Sequence, residues 1–357
     1  MIKPKKLKRG DKVAIVSLSR GVLGEKFAEH QLKIGIANLK ALGLVPVFMK
    51  NSLKGIEFLR DNPKARAEDL KDAFKDESIK MVLSAIGGTD THKTLKYLIE
   101  DEEFKDAVKN NPKIFMGFSD TSVNHLMFQK LGLVSYYGPA FLTDFADLSG
   151  EMSDYTLSYI EKLFTGEAYE IEPAKTWYYE REDFSEKSLG TKRKSAKETH
   201  GYEVLKGTGV VRGKLFGGCI EALADGMYIM EDAEKYKDFK KYKLIPEAKD
   251  FKDKVLILET CERKIKPEKY EKYLQIFKTR GILESVKCVL IGKPQDETYY
   301  EEYKEVLKKI FEDIKTPLMY NLNFGHAHPR TIIPLGCECE IDLNNKRVRI
   351  TERICED

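Results

Sequence analysis

No apolar run in this sequence approaches the ~20 residues of a membrane span. The basic start, MIKPKKLKRGDK, leads into VAIVSL, which is too short for the core of a signal peptide and reads better as a strand. A cytoplasmic location is expected. Charge of one sign is also lacking: 61 Lys and Arg stand against 58 Asp and Glu, for a net charge of +3. That leaves no electrostatic footprint for nucleic acid or an anionic membrane. The six cysteines, Cys219, Cys261, Cys288, Cys337, Cys339 and Cys355, form no CxxC pair and have no histidines at zinc-finger spacing. They read as reduced, mostly buried thiols rather than a disulfide framework or a metal site. Solenoid repeats and a GxGxxG fingerprint are absent too.

What is present is an alternation of short apolar runs with amphipathic segments. Lys12 to Leu18 reads as a strand that opens into the polar Ser19-Arg20-Gly21. Apolar positions recur at helical spacing from Phe27 to Leu42, Gly43 looks like a helix stop, and Leu44 to Met49 returns to strand pattern. Further strands are expected at Met81 to Ile86 and Ile114 to Phe118, with helices at Ala65 to Phe74, Thr91 to Ile99 and Thr121 to Leu131. This is the pattern of a largely parallel sheet wrapped by helices. Near Gly166 to His200 the chain becomes charged and aperiodic. Strands are expected again at Val210 to Phe216, Val255 to Leu258, Val286 to Ile291, Leu318 to Tyr320 and Glu338 to Ile341, with helices near Lys269 to Thr279 and Tyr303 to Ile314. The expectation is an α/β chain with an N-terminal domain over 1–165, a connector over 166–205 and a smaller, mixed α/β C-terminal domain over 206–357.

The sharpest local feature is Gly117-Phe118-Ser119-Asp120-Thr121 at the end of an apolar strand. A serine on a tight strand-to-helix turn projects away from the sheet, and the next amide can face a developing oxyanion. The glycine expected two residues after such a serine is replaced by Thr121, and Ser119 could instead cap its helix. A second turn, Gly87-Gly88-Thr89-Asp90, also follows a buried strand. Paired glycines admit close backbone approach and expose amides, although a plain strand-helix turn needs the same residues.

A hydroxyl nucleophile needs a base. His30, His92, His125 and His200 fall in helical patterns or in the charged stretch, where structural or solvent roles are expected. His326 and His328 lie in the loop Gly325-His326-Ala327-His328-Pro329, where a scaffold could hold a catalytic side chain. The nearby carboxylates form no ligand set, so no metal is expected. Glu259 follows four apolar strand residues, a place where a carboxylate is either solvated or buried against a partner.

In the order Ser119, Glu259, His326, the chain resembles the LD-carboxypeptidase family of serine peptidases, which includes the microcin C immunity peptidases (MccF type). The resemblance rests on Gly10-Asp11-Lys12-Val13, Ala65-Arg66-Ala67-Glu68-Asp69-Leu70, Gly87-Gly88, Gly117-Phe118-Ser119-Asp120, Tyr137-Gly138-Pro139, Gly217-Gly218, Leu258-Glu259 and the His326 loop, and it covers nearly the whole chain. It implies a flavodoxin-like N-terminal domain carrying the nucleophile Ser119, with Glu259 and His326 supplied by the C-terminal domain. It further implies an oxyanion hole from the backbone amides of Gly88 and Asp120, no cofactor and a homodimer. Where the family commonly has Asn after its second Gly-Gly pair, this chain has Cys219, and Thr260 stands where Asp is frequent.

The substrate implied is small and peptide-like: a muropeptide tetrapeptide, or an aminoacyl-nucleotide of the microcin C kind. Gly87, Thr89 and Trp177 are candidates for contacting it. Trp177 beside Tyr178 and Tyr179 could stack on a base or anchor its loop. Arg66 could pair with a terminal carboxylate or make a structural ion pair. The alternative to an enzyme is a peptide- or nucleotide-binding protein on the same scaffold.

Overall fold

The computed structural model describes residues 1–228 and 232–357. The chain divides into two compact units, the first made of residues 1–167, 181–193 and 354–357, the second of 168–180 and 194–353. The segment expected as a connector is therefore shared out, with part of it built into each unit.

The first unit contains β1 (Lys12–Val16), β2 (Val45–Phe48), β3 (Ile79–Ser84), β4 (Ile114–Gly117) and β5 (Ser135–Tyr137). All pair in parallel, in the order β2-β1-β3-β4-β5. The apolar runs are continuous because both sheet faces are covered: β3 and β4 are buried almost throughout. Helices 29–41, 63–75, 102–110 and 122–130 alternate with the strands. Gly43, at φ +79, is the left-handed stop expected after the first of them. In this strand order the chain reverses direction at β1 and β3, so the loops after those two strands flank a topological switch point, where doubly wound folds bind ligands. Those loops carry Ser19 and Gly87-Gly88.

The excursion at 181–193 is held to the first unit by charge. Arg181 Nη2 and Arg193 Nε reach the two carboxylate oxygens of Asp147 at 2.9 and 2.7 Å. Burial works to raise the Asp147 pKa, but the two guanidinium groups and a backbone amide outweigh it and bring it down to about 2.

The second unit contains β6 (Glu170–Ile171), β7 (Thr176–Tyr178), β8 (Ser195–Lys197), β9 (Glu203–Lys206), β10 (Val210–Cys219), β11 (Lys254–Glu259), β12 (Cys288–Gly292), β13 (Leu318–Leu322), the short β14 (Ile333–Leu335), β15 (Glu338–Asp342) and β16 (Arg347–Ile350). Its eight-stranded sheet runs β6-β16-β15-β10-β11-β12-β13-β9. The central strands β10 to β13 are parallel and the flanking ones antiparallel, while β7 and β8 form a separate antiparallel ribbon. Residues 255–258 and 288–292 read as unbroken apolar runs because they lie in the middle of this sheet. No helix among the described residues is long and apolar enough to cross a membrane.

Candidate active site

In the first unit, β4 ends at Gly117 and the chain turns at Ser119, whose φ of +66 is left-handed. A non-glycine residue there costs of order 1–2 kcal/mol, so the surroundings must hold it. They do so from two sides. The Ser119 amide donates to Tyr137 Oη at 3.1 Å, and Thr121 Oγ1 donates to the Phe118 carbonyl at 2.6 Å. Thr121 thus closes the turn by a hydroxyl where a glycine was expected. The serine side chain caps neither the short helical turn 119–121 nor the helix 122–130.

The Gly87-Gly88 turn packs directly on this bend. A Cβ on Gly87 would fall 2.8 Å from Ser119 Oγ and 3.3 Å from the Asp120 amide nitrogen, and one on Gly88 would fall 2.2 Å from Ser19 Oγ. Only glycine leaves that space open. The structure therefore brings Gly87, Gly88, Ser119 and the Asp120 amide together, while Thr89 is exposed at the edge. The Asp120 carboxylate faces the other way, accepting from Ser19 Oγ at 2.8 Å and from the Thr91 amide at 2.9 Å. Arg66 is fully buried, and its guanidinium is spent on Asp90 (2.7 and 3.2 Å) and on the Leu18 carbonyl at 3.1 Å. It serves as a structural ion pair that ties the two switch-point loops.

In the second unit, Glu259 ends β11 and is buried. It accepts from His326 Nδ1 at 2.8 Å and from the His326 amide at 3.2 Å. A Cβ on Gly325 (φ +85) would come within 2.4 Å of the Glu259 side chain, and one on Gly292 within 2.8 Å of its Cβ. The carboxylate thus occupies a slot lined by two glycines. The other ring nitrogen, Nε2, lies 3.1 Å from Glu262 Oε2. Burial works to lower the His326 pKa, but the two carboxylates together raise it well above the ordinary imidazole value. Since both ring nitrogens face acceptor-only groups, the ring is an imidazolium here. The hydrogen bond from His326 brings the Glu262 carboxyl down to about 2.

Four of the other five histidines have other work. His125 is buried between Ser135 Oγ (2.8 Å) and the Gly117 carbonyl (2.9 Å), and burial lowers its pKa to about 4. His30 bonds the Phe184 carbonyl at 2.9 Å, and His200 stacks on Tyr300. His328 meets Glu180 at 3.3 Å and Arg330 Nη2 at 3.0 Å. No cluster of His, Cys, Asp or Glu among the described residues could hold a metal ion. Trp177 is not an open loop aromatic: it sits on β7 at 4% exposure, with Lys293 Nζ 5.2 Å from its ring centroid and Tyr179 at 4.5 Å.

Sequence reasoning missed Glu262 and the thiol of Cys261, which is close enough to His326 for the imidazolium to lower its pKa. A carboxylate three residues after Glu259 was the available signal for the first. Tyr137 was noted only as part of a motif, not as the hydroxyl that holds the Ser119 amide.

A parallel-sheet unit with a strained serine at a strand end, and a second unit with a carboxylate–imidazole pair, make this an α/β protein of the peptidase class. The chain belongs to the LD-carboxypeptidase family: residues 13–138 match that family's N-terminal domain and residues 212–341 its C-terminal domain. A crystallised MccF-like protein from Streptococcus pneumoniae, in complex with AMP, is 46% identical, with a TM-score of 0.91 over 95% of this chain and 98% of that one. The MccF-like protein of Bacillus anthracis is 26% identical, with a TM-score of 0.81 over 99% of this chain and 100% of that one. The microcin C7 self-immunity protein MccF of Escherichia coli is 25% identical over 91% of this chain and 89% of its own length. The fold is the one these relatives share, and the family gives the chain a peptidase-type activity.

Proposed function

We propose that this protein is a serine carboxypeptidase in which Ser119, His326 and Glu259 act as a triad on the acyl bond of an aminoacyl-nucleotide. The observation that carries the reading is the 2.8 Å hydrogen bond between His326 Nδ1 and the buried Glu259 carboxylate, which orients the imidazole and stabilises its charged form, as a triad requires. Ser119, left-handed at the end of β4 with the Asp120 amide and the Gly87-Gly88 turn around it, supports the nucleophile and oxyanion roles.

In this mechanism Ser119 Oγ attacks the carbonyl carbon while neutral His326 Nε2 takes its proton. The amides of Gly88 and Asp120 receive the oxyanion, and the imidazolium then gives its proton to the leaving nitrogen or oxygen. Water, deprotonated by the same imidazole, releases the acyl-enzyme. The hydroxyl and Nε2 must come within hydrogen-bond reach for this, and Glu262 must leave Nε2 first.

The AMP bound to the S. pneumoniae relative favours a nucleotide on the leaving side, and the immunity role in the E. coli relative's name favours the same substrate class. The family's description as LD-carboxypeptidase favours a peptide instead, and the muropeptide tetrapeptide is the candidate of that kind. Trp177, packed under Lys293, gives no separate support to base stacking. We place the protein in the cytoplasm, acting as a homodimer without a cofactor.

The test is incubation of the purified protein, and of its Ser119→Ala variant, with an aminoacyl-sulfamoyl adenosine and with a tetrapeptide, followed by mass spectrometry. Cleavage of the nucleotide by wild type only is the expected result, with the variant slower by several orders of magnitude. Cleavage of the tetrapeptide alone transfers the proposal to cell-wall peptides. Binding without products replaces the enzyme with a sequestering protein.

A further inference from the structure

The second unit contains a chemical group that the triad does not use. Cys219 is the last residue of β10 and pairs across to Glu259, the last residue of β11. Cys261 lies two residues further on, and the two buried thiols share a small cluster with Ala222. Their side chains lie together in that cluster. Cys219 Sγ also donates to Glu221 Oε2 at 3.1 Å, while Glu221 Oε1 accepts from the Cys261 amide at 3.0 Å. One carboxylate therefore holds both residues in place.

The two sulfurs are unlike. Arg263 Nε donates to Cys261 Sγ at 3.5 Å, and the Cys219 thiol, the His326 imidazolium and Arg263 all lower the Cys261 pKa against the effect of burial. Burial first, then Cys261, then the Glu221 and Glu259 carboxylates raise that of Cys219. These neighbours favour the thiolate on Cys261 rather than on Cys219. This is the arrangement of an attacking and a resolving cysteine. Cys288 and Cys339 lack it: burial pushes Cys288 up to about 12 and raises Cys339 as well.

We propose that Cys219 and Cys261 form a peroxide-oxidisable pair that closes to a disulfide beside the Glu259–His326 pair. The Cys261 thiolate attacks a peroxide oxygen, the O–O bond breaks, and sulfenic acid forms as hydroxide leaves. The Cys219 sulfur then attacks the sulfenic sulfur. The S–S bond forms, the S–O bond breaks, and the Cys219 proton passes by way of Glu221 to the departing hydroxide. The first hydroxide takes up the proton that Cys261 released on ionising, so in sum two thiols and one hydrogen peroxide give one disulfide and two waters. A bridge here ties the end of β10 to the turn after β11, two residues from Glu259. On the reading of Glu259 as catalytic, closing it lowers hydrolysis until a dithiol reductant reopens it.

The test uses the wild-type protein. After brief treatment with hydrogen peroxide, unreacted thiols are alkylated under denaturing conditions and the peptides mapped by mass spectrometry. The expected result is loss of two of the six thiols, a linked Cys219–Cys261 peptide lighter by two hydrogens, and recovery of all six with dithiothreitol. Cys288→Ser should leave this unchanged, whereas Cys219→Ser should leave Cys261 as a sulfenic or further oxidised acid without the link. Six alkylated thiols after treatment, a different linked pair, or Cys261 sulfinic acid with Cys219 still reduced would each overturn the proposal. Mass alone decides it, so a protein that hydrolyses neither candidate substrate refutes the enzymatic reading without touching this one.

Discussion

Glu262 Oε2 stands 3.1 Å from His326 Nε2, on the nitrogen that a serine hydroxyl would have to reach. Its side chain is 63% exposed, so the contact is one that solvent or substrate can break, unlike the buried bond on the far side of the ring. A carboxylate in that position keeps the imidazole charged, and a charged imidazole accepts no proton.

From this follows a pH dependence with a definite sign. In the proposed mechanism His326 is the base and works only when deprotonated; the carboxylates raise its pKa well above the ordinary value, so activity should rise with pH through that raised value. Glu262→Gln removes one carboxylate and should move the ascending limb of kcat/KM down by about one pH unit, with Glu262→Asp close to wild type. A limb unmoved in the Gln variant would show that Glu262 has left the ring before titration matters.

Gly87 tests the serine turn from outside the triad. A Cβ at that position would fall 2.8 Å from Ser119 Oγ, and the Gly87 backbone is not left-handed. Gly87→Ala should therefore fold but displace the hydroxyl. A shift of about 1 Å at a nucleophile is worth about a hundredfold in rate. We expect kcat to fall on that scale with the melting temperature nearly kept. Unchanged kcat would mean that the hydroxyl is not the reacting group.

Much of this site was legible in sequence because it depends on local chemistry. Gly117 was readable as the glycine two residues before Ser119 on a strand-to-helix turn, and the reason for it is close packing: a Cβ there would meet Ser84 Cβ at 2.8 Å. The strands of both parallel cores were readable because burial on both faces leaves unbroken apolar runs. Other features depend on partners far along the chain. Arg66 could be assigned only once Asp90 was beside it, and Trp177 only once Lys293 lay over its ring. The strands at 170–171, 176–178 and 195–197 are too short to show a period. Helix 220–227 was missed because every residue in it is buried, which erases the polar stripe that marks an amphipathic helix. Helix 102–110 had the opposite difficulty: only Phe104 and Val108 are buried, a seam of two residues among charges.

Ser119 should reveal a conflict between function and stability. Its φ of +66 suits glycine better than serine. Ser119→Gly should abolish hydrolysis yet leave the protein as stable as wild type or more stable by about 0.5–1 kcal/mol, read from urea unfolding. Ser119→Ala keeps the strain and should show no such gain. A Gly variant less stable than the Ala variant would mean that the turn is not strained.

The clamp on residues 181–193 should weaken in acid. Asp147 is held at about 2 by Arg193 and Arg181 despite burial, whereas an unfolded aspartate titrates near ~3.9. A depressed carboxylate contributes stability that is fully present above the unfolded value and is lost as pH falls toward the folded one. The first unit should therefore lose this contribution between about pH 4 and pH 2. Asp147→Ala should reproduce the loss at neutral pH, because it leaves Arg181 and Arg193, only 7% and 8% exposed, without their carboxylate. Stranding buried charges in this way costs about 3–5 kcal/mol. Limited trypsin digestion reads the effect locally, since Arg181, Lys187, Lys192 and Arg193 are all potential cleavage sites. The variant should be cut there well before the rest of the chain, and equal cutting of variant and wild type would show that Asp147 does not hold the segment.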